Sequence, residues 1–253
     1  MMDSFLVEND RFRPFTAEHL SVVVIGFLAG GLLIWYARRS DESTQVRLGA
    51  ALAYLILITY FVVFISIDSL RNGFDPKKHL PFAMCNICGA TAWLMLHKRN
   101  FLAYEVLFFW ILSGTLSAVL LPEIKQGFPH YTFFAFWIIH LGLVIAAFYA
   151  TLVYRMRPTF SSMVKSFVFL NIYAILVGGI DWLLSDYDAN YFYVCHKPAV
   201  WTPLNLFGEW PYYLLGGELL AAILFVLIFA PFAIGQCLTS KSVSAGAETE
   251  VSS

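Results

Sequence analysis

A cysteine and a histidine inside long apolar segments are the residues best suited to do chemistry in this chain. Cys85 lies near the start of one such segment and His140 near the middle of another. A thiol becomes a strong nucleophile when an imidazole accepts its proton, and a carboxylate such as Asp181 can orient the imidazole. These residues predict a Cys-His-Asp catalytic site, with the adjacent Asn86 as a candidate oxyanion donor. The alternative is structural, with a buried thiol and a hydrogen-bonded histidine that only pack between helices.

The same cysteine belongs to a second pattern. Cys85 and Cys88 form a Cys-x-x-Cys pair, one helical turn apart. Such a pair can act as a redox dithiol, and Cys195 could then serve as its shuttle partner. The apolar segments contain no histidine pair with the His-x-x-His or His-x-x-x-His spacing, so we expect no metal and no cofactor.

The elements that must position these side chains follow from composition. The 253 residues are 59% hydrophobic and only 13% charged, whereas soluble domains carry about 25% charged residues. The net charge of −1, with no basic face, argues against nucleic-acid binding. Seven runs are long and apolar enough to cross a bilayer, which only helices or closed barrels can do: 19–37, 46–67, 80–97, 101–121, 131–154, 163–184 and 211–235. We therefore expect an all-α membrane protein with a single bundle of seven transmembrane helices.

The remaining sequence predicts a simple organisation. One domain, 1–238, is followed by a tail, 239–253, whose Ser, Ala, Glu and Thr content predicts disorder. The 16 lysines and arginines divide as nine and seven between the two sides of the membrane. The positive-inside rule then predicts a multi-pass cell-membrane protein with its N-terminus outside and its C-terminus in the cytoplasm.

Four reactive or ionisable side chains are predicted to share one half of the bilayer. At about 1.5 Å per helical residue, Cys85 and His140 lie about 8 and 14 Å along their helices from one face. On the same scale, Asp181 and Glu218 lie about 5 and 11 Å from that face. Ionisable groups at membrane depth are costly, so their convergence predicts a polar pocket, with Asn171 as a further polar residue in the sixth span.

The connection from Ser185 to Trp210 is rich in aromatic residues. Amphipathic aromatic rings favour the headgroup layer, so we expect this segment to lie on or dip into the outer leaflet as a lid. The alternative is an aromatic belt that only anchors the protein. With the lid interpretation, Tyr193 and Trp210 join Asn171 and Glu218 as candidate substrate-binding residues.

Several sequence blocks together resemble the YwaF family of bacterial integral membrane proteins. They include LPFAMCNI at 80–87, GFPHY at 127–131, DWLL at 181–184 and GEWPYY at 208–213. The likeness covers about 80–231. It implies a relationship to a eukaryotic transmembrane acyltransferase that moves polyunsaturated acyl chains between phospholipids, with Cys85 as the acyl acceptor and His140 as the base.

The chain also departs from the pattern of that family. Its members usually have His two residues before the cysteine, Ser three residues after it, Ser before the histidine and Asn in the sixth span. This chain has Ala83, Cys88, Ile139 and Asp181 at those positions. These differences could retune the site or remove its activity.

Three functional classes follow from these observations. The first is a lipid acyltransferase or acyl hydrolase that uses a membrane-embedded Cys-His pair, with membrane phospholipids as acyl donor or acceptor. The second is a membrane thiol oxidoreductase using Cys85 and Cys88. The third is a non-enzymatic transporter or sensor in which Glu105, Asp181 and Glu218 bind a cation or polar ligand. None of the three specifies an oligomeric state.

Overall fold

The described part of the computed structural model comprises residues 5–9, 11–198 and 201–251, without the side chains of 64 and 237–251. Seven helices of 13 residues or more form its framework. They are α1 Ala17–Ala37, α2 Glu42–Asn72, α3 Met84–Leu96, α4 Phe101–Leu120, α5 Tyr131–Leu152, α6 Phe160–Leu183 and α7 Tyr212–Val251. Shorter turns of helix occur at Pro76–His79, Ser185–Tyr187 and Pro203–Phe207. The all-α class predicted from composition is confirmed.

Six of these helices are long and apolar enough to cross a membrane, and α3 is the shorter exception. Large apolar side chains cover their outer faces: Leu32, Ile175 and Leu215 have exposed fractions of 66, 76 and 71%. A soluble protein rarely exposes continuous apolar surface on this scale. The chain is therefore a multi-pass helical membrane protein that sits in lipid.

Helix α5 is the most deeply buried of the long helices. It packs against α1, α2, α3 and α4. Small residues permit the close approach of its neighbours, since a Cβ at Gly26 or Gly30 of α1 would lie 2.5 Å from an α5 side chain. A side chain on α5 can therefore meet groups from several helices, and His140 is on this helix.

Helix α3 begins later than the sequence predicts. Its predicted span is 80–97, but the helix runs from Met84 to Leu96 and the chain before it is irregular. Pro81 explains the difference, because proline lacks an N–H and disfavours helical backbone at the residue before it. Thirteen residues extend only about 20 Å, against about 30 Å for the hydrocarbon core. The N-terminus of α3, with Cys85 in its first turn, can therefore lie at membrane depth.

Two of the long helices contain π-helical turns, over Tyr60–Asp68 in α2 and Ile111–Thr115 in α4. Such turns are rare and occur frequently at functional sites, because they rotate the following side chains relative to a regular α-helix. The second turn contacts both α3 and α5. This turn therefore lies beside the two helices that carry Cys85 and His140.

An ion pair joins α4 to α6. Glu105 is only 4% exposed and accepts hydrogen bonds of 2.7 Å from Lys165 Nζ and from the Ser162 hydroxyl. A buried carboxylate needs such partners, because an unpaired charge in a low-dielectric interior is very costly. Glu105 thus has a positioning role between two helices.

Helix α7 extends to Val251, past the start of the predicted tail at 239. The side chains from 237 onward lie outside the described residues, so the disorder of 239–253 remains a prediction. The division at 238 also remains a prediction.

Candidate active site

Cys85 occupies the second position of α3, directly after Met84 and the N-cap residue Ala83. The first N–H groups of a helix have no intrahelical acceptor, and the helix dipole favours negative charge at this end. The Cys85 side chain is half-buried. A thiolate formed here is stabilised by its helix, as at other reactive cysteines.

His140 is oriented by contacts within its own helix. Its Nδ1 lies 2.8 Å from the carbonyl oxygen of Phe136, one turn earlier, and its ring stacks on the Phe136 ring at 4.0 Å between centroids. A carbonyl oxygen only accepts hydrogen bonds, so Nδ1 carries a hydrogen and donates it. In the neutral imidazole, Nε2 therefore carries the lone pair and can accept a proton.

The thiol of Cys85 and the imidazole of His140 lie close enough to interact electrostatically. The sequence predicts a meeting of the third and fifth spans here, and the catalytic pairing of the two residues stays a prediction. The two residues come from different helices, and both side chains are half-buried. Both side chains therefore keep some accessible surface that a ligand can reach.

Thr115 is a member of this site that the sequence interpretation missed. Its hydroxyl lies 3.6 Å from the Cys85 sulfur, and the residue is completely buried. Several other helical hydroxyls bond the carbonyl four residues earlier, as Thr91 and Thr151 do. Thr115 ends the π-helical turn of α4 and bonds the thiol instead. A lone threonine in an apolar run gives no sequence signal of this kind.

Asp181 does not orient the imidazole in this structure. The carboxylate is 1% exposed and both of its oxygens accept the backbone N–H of Tyr191, at 3.1 and 3.2 Å. In a triad, the carboxylate would accept a hydrogen bond from Nδ1 of the imidazole. In this structure, Nδ1 of His140 donates to the Phe136 carbonyl instead. Asp181 therefore anchors the connection after α6, and the predicted Cys-His-Asp site lacks its carboxylate.

Replacing Asp181 with alanine separates these two roles. We expect the variant to lose about 1–3 kcal/mol of stability, because the buried Tyr191 N–H loses its acceptor. The rate at which a small thiol reagent labels Cys85 is not expected to fall. Thermal unfolding in detergent and timed labelling measure the two effects, with the exposed Asp186→Ala as control. A loss of labelling in Asp181→Ala, at unchanged stability, would restore the triad hypothesis.

Asn86, the predicted oxyanion donor, is half-buried and its side-chain amide makes no hydrogen bond to any described residue. Its backbone N–H already donates to the carbonyl oxygen of Ala83, at 2.9 Å. The N–H groups of Met84 and Cys85, which precede it, are better placed at the open end of the helix.

The candidate binding residues Asn171 and Glu218 meet each other across α6 and α7. Asn171 Nδ2 donates to Glu218 Oε2 at 3.1 Å, and Glu218 is half-buried. Helix α7 also contacts the π-helical turn of α4 that carries Thr115. Glu218 is therefore carried by a helix that packs beside that turn.

The aromatic connection folds back over the start of α3. Tyr191 stacks edge-on against Phe82, and the Tyr173 hydroxyl donates to the Phe82 carbonyl at 2.5 Å. Phe82 lies three residues before Cys85, so the connection and α6 pack beside the nucleophile. This supports a covering role for part of the segment.

Tyr193 and Trp210 have different surroundings within this connection. The Tyr193 hydroxyl donates to Glu123 Oε2 at 2.9 Å, and burial together with Glu123 raises the pKa of Tyr193. Tyr193 also lies within electrostatic range of Cys85. Trp210 is 61% exposed and its indole N–H donates to the Val194 carbonyl. Tyr193 is therefore the nearer of the two to the candidate site.

The cysteines differ sharply in access. Cys85, Cys88 and Cys195 are free thiols, and Cys88 has no exposed surface. Cys195 is exposed in the connection, where partial desolvation and the nearby Asp181 raise its pKa. The complete burial of Cys88 favours a packing role in the core over a role as a redox partner.

Comparison with known proteins identifies one family. The model of the TMEM164 family matches residues 14–229, which include Cys85, His140 and Thr115 and reach from the residues before α1 into α7. No significant match to the chain occurs among the curated proteins or the solved structures. The comparisons do not show the resemblance to YwaF or a bacterial origin.

Proposed function

The chain belongs to the TMEM164 family, and we propose that it is a membrane acyltransferase in which Cys85 carries the acyl group and His140 moves the proton. The observation that supports this proposal is the proximity of the thiol to an imidazole whose Nδ1 is committed to the Phe136 carbonyl. The sequence resemblance to a phospholipid acyltransferase leads to the same two residues.

The first half of the reaction forms a thioester. His140 Nε2 accepts the proton of Cys85 as the sulfur attacks the carbonyl carbon of a phospholipid ester. The tetrahedral adduct then breaks its bond to the glycerol oxygen, which takes the proton from the imidazolium. The products are a lysophospholipid and an acyl group on Cys85.

The second half reverses these steps with a different acceptor. The hydroxyl of another lysophospholipid attacks the thioester while His140 accepts its proton, and the thiolate leaves and recovers that proton. Water in place of the lysophospholipid gives hydrolysis. The acyl hydrolase is thus the same mechanism with a different acceptor.

Two features near Cys85 suit the charge that develops in this reaction. The N–H groups of Met84 and Cys85 at the start of α3 can donate to the oxyanion of the tetrahedral adduct. The Thr115 hydroxyl, 3.6 Å from the sulfur, holds the thiol in place. Thr115 is thereby a positioning residue rather than a catalytic one.

The depth of the site suits a lipid ester. Because α3 is short, we expect the thiol to lie below the membrane surface, at a depth of about 10 Å that ester and acyl carbons of a phospholipid can reach. Tyr193 and the Asn171–Glu218 pair line neighbouring elements and are proposed to contact the lipid. The proposed substrates are therefore the phospholipids that surround the protein.

The other functional classes receive less support. A thiol oxidoreductase needs Cys88 to reach an oxidant, but Cys88 is fully buried. A cation site built from Glu105, Asp181 and Glu218 would need free carboxylates, but each of them already has a hydrogen-bond partner.

The direct test is acyl exchange in proteoliposomes. The purified chain is reconstituted with phosphatidylcholine carrying a deuterated acyl chain and with lysophosphatidylethanolamine. We expect deuterated phosphatidylethanolamine, together with a hydroxylamine-sensitive acyl group on Cys85, both measured by mass spectrometry. Protein alkylated beforehand with a lipid-soluble thiol reagent is the control. Exchange without any protein-bound thioester would contradict the covalent route, and the absence of exchange, hydrolysis and thioester would contradict the proposal.

A further inference from the structure

A cavity of about 340 Å³ opens at the end of the bundle opposite to Cys85 and His140. It lies between the end of α1, the start of α2 and the segments that connect α3 to α4 and α5 to α6. Three arginines line it, Arg38, Arg99 and Arg155, together with the single carboxylate of Glu42 and the Tyr154 side chain. The Cys-His site does not use this cavity.

The charges around the cavity are not balanced. Arg99 is paired with Glu42 and also lies over the Tyr154 ring, at 5.0 Å from its centroid. Arg38 and Arg155 make no side-chain hydrogen bond or ion pair with any residue that the structure describes. Three guanidinium groups therefore face one carboxylate. The surplus positive charge would favour an anion in the cavity.

The backbone places two of these arginines in an unusual conformation. Arg99 follows the end of α3 with φ of 51°, and Arg155 follows the end of α5 with φ of 58°. Both are helix-ending positions, since Asn100 N–H donates to Leu94 O and Met156 N–H donates to Ala150 O. Glycine is the residue that best adopts this left-handed conformation. Arginine at both positions is unfavourable for the backbone, which points to a use for the side chains.

We propose that this cavity binds a phosphate group. Arginine matches phosphate oxygens with a planar fork of N–H donors, and the guanidinium groups of Arg38, Arg99 and Arg155 are accessible to a ligand from solvent. The volume lies within the usual range for small-ligand sites, about 300–1,000 Å³. The ends of α1, α2 and α5 also bring the cavity to the level of lipid headgroups. The phosphate can belong to an anionic lipid or to a soluble phosphate ester, and both present the same group to the arginines.

The test uses the full chain in phosphatidylcholine nanodiscs. One arm adds phosphatidic acid to the nanodisc and the other adds inorganic pyrophosphate to the buffer, and thermal unfolding is followed in each. We expect a saturable rise in Tm with at least one of the two probes. A rise only with phosphatidic acid assigns the site to a lipid headgroup, and a rise only with pyrophosphate assigns it to a soluble ligand. No rise with either probe would overturn the proposal.

Variants separate binding from folding. Arg155→Gly removes one guanidinium but relieves the left-handed backbone, so its Tm without ligand is expected to equal or exceed that of the wild type. Its apparent affinity for the probe is expected to fall by about 10-fold or more, the effect of one charge-assisted hydrogen bond. Arg47→Ala is the matched control, because Arg47 is exposed on α2 on the same side of the membrane but does not line the cavity. An equal loss in both variants would show general surface attraction and would also overturn the site.

Discussion

Replacing Cys85 with alanine is expected to reduce acyl exchange by about 10³-fold or more, because the reaction loses its nucleophile and its acyl carrier together. The protein-bound thioester should disappear at the same time. Exchange of a deuterated acyl chain in proteoliposomes gives the rate, and mass spectrometry of the chain gives the thioester. The fold should tolerate the change, because Cys85 is half-buried and lies in the first turn of α3.

Cys88→Ser is the matched control for this variant. Cys88 lies one turn further along the same helix and is fully buried. A serine keeps its size, and its hydroxyl can bond a carbonyl of the preceding turn. We expect exchange close to that of the wild type. Equal losses in the two variants would favour a dithiol mechanism, whereas normal exchange in Cys85→Ala would rule out acyl transfer through this thiol.

Replacing His140 with glutamine is expected to lower the exchange rate by about 10² to 10⁴-fold, the usual contribution of a general base. Glutamine retains polarity but cannot accept and return a proton at the sulfur. The rate of Cys85 labelling by a thiol reagent should fall as well, because the imidazole no longer takes the thiol proton. Exchange and labelling are measured on the same proteoliposome preparations.

His97→Gln provides the control for the same chemical change. His97 ends α3 on the opposite side of the bundle, where its ring hydrogen-bonds the Tyr54 hydroxyl at 2.8 Å. We expect its exchange and labelling rates to match those of the wild type. If His140→Gln also matched the wild type while remaining folded, the imidazole would have only a packing role.

The length of α3 connects this chemistry to the membrane. Pro81 delays the start of the helix, so the open N–H groups and Cys85 lie further along the chain than the start of the predicted span. The His140 ring needs no partner from another helix, because Phe136 holds it by both its carbonyl and its ring. A nucleophile and a base can thus meet in lipid with few polar groups around them.

The sequence alone determined the all-helical class and the lipid environment, and it predicts that Cys85 and His140 share one half of the bilayer. These properties depend on the length of apolar runs and on the constant rise of a helix, which are local quantities. The effect of Pro81 on the start of α3 is also local. Beginning the third span after Pro81 gives a shorter predicted helix, closer to the one observed.

Other features depended on the tertiary structure. The role of Thr115 requires a π-helical turn, and the pairing of Asp181 with Tyr191 requires the path of a connection that no periodicity describes. The convergence of Arg38 and Arg155 on one cavity likewise joins segments far apart in the chain. The physical reason is that depth follows from position along a helix, whereas contact also requires the rotation of each helix about its axis and the course of the loops, which packing between distant residues decides.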